Sequence, residues 1–292
     1  MTTFNHEDYP ALYQASDQVS NEIQTTYLNL MKLNILLLIL ASFLSFLGID
    51  SKIMAILSAL IFLLTIFINI ILGIKNYHDT WYKARSIAES IKTLTWRFIT
   101  QSEPFNSTIP KVNRDKFIGI INKILHETKG IVEKFDSKYH ELPFISEKMK
   151  EVISNSLEEK IEIYLACRIK EQKAWYAKKT KYNQKWYKIW FSLMIILQIA
   201  AIVLVLTRIA YPDIKYFSAE IISVIIVGIL TWMQLKKYRE LSASYSFTAH
   251  EIGIIESKIS NVQNEEELSE FIQDAENAFS REHTQWIARK DN

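Results

Sequence analysis

The stretch from Ile53 to Ile74 reads IMAILSALIFLLTIFINIILGI and contains no charged residue. A helix of that length crosses a hydrocarbon core of ~30 Å. A helix in water needs a wet face, and this one carries too little polar residue to make one. Working outward, Asp50-Ser51-Lys52 leaves room only for a tight turn after another uncharged run, Leu33 to Ile49. The two runs predict a helical hairpin that crosses the bilayer and returns. The pattern recurs downstream. Ile189 to Thr207 and Tyr216 to Leu235 are both apolar, the second with one acid, Glu220, near its start. Arg208 to Lys215 joins them through Pro212-Asp213, a turn signal. The predicted class is an all-α integral membrane protein. It has four transmembrane helices in two hairpins, extended into a cytoplasmic helical bundle.

Lysine and arginine near the span ends set the expected orientation. The turns hold Lys52 in one case, and Arg208 and Lys215 in the other. The opposite ends hold Lys75, Lys83 and Arg85, then Lys178, Lys179, Lys181, Lys185 and Lys188, then Lys236, Lys237 and Arg239. Those ends are predicted to be cytoplasmic, with both termini. Trp81, Trp186, Trp190 and Trp232 fall at the same ends, where an amphipathic ring suits the headgroup layer. About thirty polar and acidic residues precede the first apolar run, which does not resemble a signal peptide.

Composition narrows the chemistry. Net charge is only +2, so bulk charge gives no reason to expect nucleic-acid binding. Cys167 is the single cysteine, which excludes an internal disulfide and a cysteine-based metal site. Neither a phosphate loop, nor a glycine-rich dinucleotide turn, nor a zinc-protease helix motif occurs. His6, His78, His126, His140, His250 and His283 are scattered, and the pairs His250-Glu251 and Glu282-His283 are adjacent, so their members do not share a helix face. The chain is read as a non-enzyme with no cofactor and no metal.

Six glycines and five prolines leave long helices uninterrupted. Tyr77 to Phe98, Leu157 to Lys188, and the segment from Leu235 to about Ile259 are expected to continue the spans as helices. Val112 to Phe135 is predicted as another helix, between breaks at 101–111 and 140–143. Asn264 before Glu265, Glu266 and Glu267 predicts an N-cap and a last helix to Ala288. The same plan thus occurs twice: an approach helix, a hairpin, a helical extension. We divide the chain into residues 1–150 and 151–292 on that basis.

Two sets of residues stand out. Ser58, Thr65 and Asn69 fall on one narrow face of the second span, and Glu220, Ser223, Thr231 and Gln234 on one face of the fourth. Polar side chains in lipid need a partner helix or water. One reading makes them interhelical glue. The other gathers them around an aqueous path in a homo-oligomer. The approach to the third span carries Arg168, Lys170, Lys173, Lys178, Lys179, Lys181, Lys185 and Lys188. Such a basic patch acts as a topology signal that attracts anionic lipid, or as a site for a polyanion.

The first half carries Tyr9-Pro10-Ala11-Leu12-Tyr13 ahead of Ser20 and Gln24, then Arg85, Ala88-Glu89-Ser90-Ile91-Lys92 and Trp96-Arg97. The second carries Tyr164 to Arg168, Gln172, Trp175-Tyr176 and Lys178-Lys179, then Tyr245, Glu251, Glu276, Ser280-Arg281-Glu282-His283 and Trp286. In these residues the chain resembles tandem SLATT domains, two-transmembrane effector domains associated with bacterial nucleotide-signalling conflict systems. The resemblance implies a bacterial inner-membrane effector that forms a pore or disrupts the membrane in an anti-phage response. It leaves a sensor protein or a nucleotide second messenger as the trigger. The competing reading is a membrane-anchored helical scaffold or sensor without a pore.

Overall fold

The computed structural model describes residues 3–212 and 219–288, and side chains as far as residue 280. Asp213, Lys215 and the Tyr216 start of the fourth run lie outside the described residues, as do the side chains of Arg281, Glu282, His283 and Trp286. Helices α1 (Ala11–Leu47), α2 (Lys52–Lys75) and α3 (Tyr77–Ile99) come first, followed by α4 (Pro110–Glu127) and the short α5 (Lys129–Val132). Then come α6 (Glu147–Ser154), α7 (Leu157–Tyr164), a π-helical segment (Leu165–Lys170) and α8 (Glu171–Ala210). Helices α9 (Ala219–Lys236), α10 (Tyr238–Lys258) and α11 (Glu265–Ala288) complete the chain. No strand occurs among the described residues.

Four helices carry apolar windows long enough to cross a membrane, and no more than 17% of any such window is buried within the chain. Leu36, Ile53, Leu63, Ile196 and Ile202 are each at least 60% exposed. Soluble proteins do not leave contiguous apolar surface of that extent in water. The chain is a multi-pass membrane protein with two helical hairpins.

The chain forms two compact units, and each sequence half contributes to both. One comprises Met1–Gln24, His78–Lys178 and Ser244–Asn292. Its core brings together Leu12 and Val19 of α1, Ile87 and Ile91 of α3, Phe117 of α4, Met149 of α6 and Ile272 of α11. These apolar residues recur at helical spacing, so each helix buries one stripe and wets the other. Local chemistry fixes several helix starts. Ser146 Oγ accepts from the Met149 amide at 3.2 Å. Ser156 and Glu159 form a reciprocal capping box. Asn264 caps α11 as predicted: its Oδ1 accepts the Glu267 amide at 2.9 Å, and Glu267 accepts the Gln263 amide at 2.7 Å. The predicted 112–135 helix is in fact α4 followed by the short α5, interrupted at Thr128.

The other unit comprises Thr25–Tyr77 and Lys179–Ala243 and holds the apolar runs. The turn between α1 and α2 closes at Gly48, where an added Cβ would lie 2.9 Å from the Ala55 amide nitrogen. Any larger residue would push the two helices apart at that point. Helices follow both second spans as the sequence predicts, each after a one-residue break that it does not. Asn76 (φ 44°) separates α2 from α3, and Lys237 (φ 46°) separates α9 from α10. The repeat therefore extends to the backbone: each hairpin ends on one left-handed residue. Asparagine adopts that conformation readily, whereas lysine takes it at a cost.

Candidate functional site

The two polar stripes of the spans are used in opposite ways. In α2, Ser58 and Thr65 are buried. Ser58 Oγ donates to the Ala41 carbonyl of α1 at 2.8 Å, and Asn69 Oδ1 accepts from Asn34 Nδ2 of α1 at 2.9 Å. Thr65 Oγ1 donates to Phe62 of its own helix. This stripe ties the first hairpin together.

The α9 stripe points away from the unit. Its packed face carries Gly228, whose absent side chain admits Ile35 of α1: an added Cβ would sit 2.9 Å from Ile35 Cγ2. Ile229 on the same face is buried. At roughly 100° per residue, Ser223 and Gln234 fall on the opposite side, beside Val227 (60% exposed), while the half-buried Thr231 lies on the flank between that side and Gly228. Ser223 Oγ donates to the Ala219 carbonyl at 3.0 Å and Thr231 Oγ1 to the Val227 carbonyl at 2.8 Å. Both hydroxyl protons are thus satisfied by their own helix, while the oxygens still face outward. The exposed Gln234 carries the largest polar demand on this face. Glu220 is set apart from the rest: its carboxylate pairs with Arg208 at the end of α8, 3.3 Å away. That contact closes the second hairpin at an exposed end and gives the acid a partner without an aqueous path.

A second constellation lies in the polar unit, and part of it corrects the expected basic patch. Arg168 is 1% exposed and does not face solvent. Its Nε and Nη2 donate to Glu276 Oε1 and Oε2 at 2.8 and 2.7 Å, and Glu276 is fully buried. Tyr164 Oη donates to Oε1 at 3.0 Å, and Thr93 Oγ1 donates to Oε2 at 2.8 Å. The guanidinium also lies 4.6 Å from the Phe279 ring centre. Burial opposes the Arg168 charge, but the Glu276 carboxylate outweighs it and holds the group above its ordinary value. Trp96, itself fully buried, donates from Nε1 to Tyr9 Oη at 2.8 Å and sets its ring 5.5 Å from that of Tyr164. Burial drives Lys92 below its ordinary value, reinforced by the Arg168 charge. Arg168 lies in the π-helical segment. Such bulges occur as single turns inside α-helices, frequently at functional sites.

The remaining basic residues divide. Lys173 pairs with Glu256 at 2.6 Å. Lys170, Lys178, Lys179, Lys181, Lys185 and Lys188 are exposed. Of these, Lys178, Lys181, Lys185 and Lys188 share one face of α8 at helical spacing.

The buried network is assembled from motif residues of both halves: Tyr9 and Trp96 from the first, Tyr164, Arg168 and Glu276 from the second. Comparison with protein families accounts for that pairing. Residues 10–161 match the model described as SMODS and SLOG-associating 2TM effector domain 3, and residues 164–286 match SMODS and SLOG-associating 2TM effector domain 1. The chain belongs to the SLATT family. It carries two SLATT domains in tandem, and their junction falls near the start of the π-helical segment. No curated protein and no solved structure matches the chain. In this tandem SLATT chain the two domains share one polar core, because Thr93 and Trp96 come from one domain and Arg168 and Glu276 from the other. The motif letters marked Trp96, Arg168 and Glu276 but not Thr93, and Arg168 within a lysine-rich run read as surface charge. Its partner lies 108 positions away, beyond the reach of any local signal.

Proposed function

We propose that this SLATT protein is a bacterial inner-membrane effector. It assembles as a homo-oligomer and permeabilises the membrane in an anti-phage or related conflict response, when a cytoplasmic signal acts on the polar unit. The reading rests on one observation: Ser223 and Gln234 occupy the face of α9 opposite the one packed on α1, with the half-buried Thr231 on its flank. In hydrocarbon such a face is satisfied by water or by a polar face of another helix. A second copy offers the same face. A closed ring of copies turns the stripes towards a common axis, and water accompanies polar side chains there. The family description, an effector domain with two transmembrane helices, supports the same reading. The chain has no catalytic role in this scheme. The trigger is a sensor protein or a nucleotide second messenger that binds one arrangement of the polar unit better than another. Both termini face the cytoplasm.

The test is ion leak from liposomes containing the purified chain. Wild type leaks, and Thr231→Leu with Gln234→Leu leaks less while chemical cross-linking still yields the oligomer. Gln234 is exposed, and the half-buried Thr231 spends its hydroxyl on its own helix, so the hairpins survive the change. Equal leak from both proteins, or none from either, overturns the reading.

A further inference from the structure

We infer that the groove between α1, α8 and α9 is a binding site for one anionic phospholipid, with its phosphate held by Lys32 and Lys236. The groove is a cavity of about 500 Å³ within the apolar unit. Ile35, Leu36 and Ile39 of α1 form one wall. Trp186, Trp190 and Leu193 of α8 form a second, and Ile225 and Ile229 of α9 a third. A cavity of that size, largely apolar with a few convergent polar groups, has the character of a small-molecule site.

The charged groups gather at Trp232, where Lys32 lines the groove and Lys236 lies just outside its lining. Lys32 Nζ lies 5.3 Å from the Trp232 ring centre, and Lys236 Nζ lies 5.9 Å from the same centre. Two ammonium groups thus surround one indole ring. Lys179 adds a third positive charge, and both it and Lys32 repel Lys236. Among the described residues, no carboxylate forms an ion pair with Lys32 or Lys236. Attraction to the ring face compensates each lysine only in part. A phosphate monoanion between the two would relieve their repulsion and accept hydrogen bonds from both.

The walls distinguish a lipid from a free anion. Inorganic phosphate gains nothing from the isoleucine and tryptophan surface beyond the lysines, whereas an acyl chain covers it. Leu36, on the wall, is 63% exposed, so the groove opens onto surface already apolar enough for lipid. Tyr182, Trp186 and Trp190 step along α8 with ring centres 6.2 Å apart at each step, and Tyr238 is buried beside them. Aromatic residues with a polar edge collect at the depth where a lipid changes from headgroup to tail. Choline, the cation of a zwitterionic headgroup, would meet Lys32 and Lys236 there. This site is separate from the Lys178, Lys181, Lys185 and Lys188 stripe, which occupies another face of α8.

The experiment uses the full chain in an uncharged detergent, with native mass spectrometry counting bound lipid. Dioleoyl phosphatidylglycerol is compared with dioleoyl phosphatidylcholine and with inorganic phosphate. Wild type retains phosphatidylglycerol in preference to phosphatidylcholine. Lys32→Gln with Lys236→Gln loses about thirtyfold in affinity for it. Lys181→Gln with Lys185→Gln binds as wild type does. Leu36→Trp, which fills the groove with both lysines intact, also weakens binding while circular dichroism shows unchanged helicity. Equal retention of the two lipids overturns the proposal, as does undiminished binding by the Lys32/Lys236 variant. Displacement of phosphatidylglycerol by inorganic phosphate at millimolar concentration would make a soluble anion the occupant, and would equally overturn it.

Discussion

Replacing Glu276 by glutamine keeps the shape of the side chain and removes its charge, in a place where water cannot compensate. Glu276 is fully buried and accepts four hydrogen bonds: two from Arg168, one from Tyr164 and one from Thr93. A glutamine has a single carboxamide oxygen to offer them. Its NH2 group would face the Arg168 or Thr93 donors and repel them. Arg168, 1% exposed, would then be a buried cation without a counter-ion. Breaking a buried pair from one side costs about 3–5 kcal/mol. Counting instead the two Arg168 bonds at about 1.5–3 kcal/mol each gives about 3–6 kcal/mol, which spans that range. Each ~1.4 kcal/mol is a factor of ten, so amide protection in the polar unit should fall by roughly two to four orders of magnitude. Hydrogen exchange of the full chain in micelles reads this directly at α3 and α11, where Ile91 and Ile272 are fully buried. The companion variant, Arg168→Met with Glu276→Met, removes both charges and should recover most of the loss, because apolar replacement of a whole buried pair is often neutral or better. Less than tenfold loss of protection in Glu276→Gln would refute the reasoning. So would a double variant as damaged as the single one, because the cost would then not lie in an uncompensated charge.

Two further outcomes follow from local structure. Burial opposes the Asp17 charge, but the His6 hydrogen bond and Arg85 (2.9 Å) outweigh it and hold the carboxyl below the usual carboxylate range. The unfolded chain therefore binds more protons between the two values, so stability contributed by Asp17 is present above about pH 4. It is lost as pH falls through the lowered folded value. Arg85→Gln should flatten that acid limb in unfolding measured against pH. Lys237 takes φ 46° at the end of α9. Glycine adopts that conformation without a Cβ penalty, so Lys237→Gly should stabilise the chain by about 1 kcal/mol, seen as slower exchange at the start of α10; no change there would remove strain from the account.

The membrane spans were legible because lipid imposes a simple rule on sequence. With no water in the bilayer core, every backbone group pairs inside the helix and nearly every side chain is apolar, so Ile53 to Ile74 announces itself as an unbroken run. The α11 cap was legible for a related reason: Asn264 and Glu267 act within one turn, and their letters carry the whole interaction. The breaks at Asn76 and Lys237 were not. Lysine gives no local sign of a left-handed residue, and only comparison of the two hairpin ends makes the device visible.

The polar periodicity of α2 and α9 was equally plain in both sequences, yet periodicity defines a face without saying where it points. Packing on α1 decided that, through Ser58 against Ala41 in one case and Gly228 against Ile35 in the other. Arg168 is the sharper example. Read along the chain it is one more cation in a basic approach helix. Folding brings Glu276 to it across 108 positions and seals both from water. Sequence alone therefore determined which segments enter lipid, since that depends on transfer of each residue from water. Tertiary structure decided which charges are buried and which polar faces remain open, because those depend on partners that only the folded chain supplies.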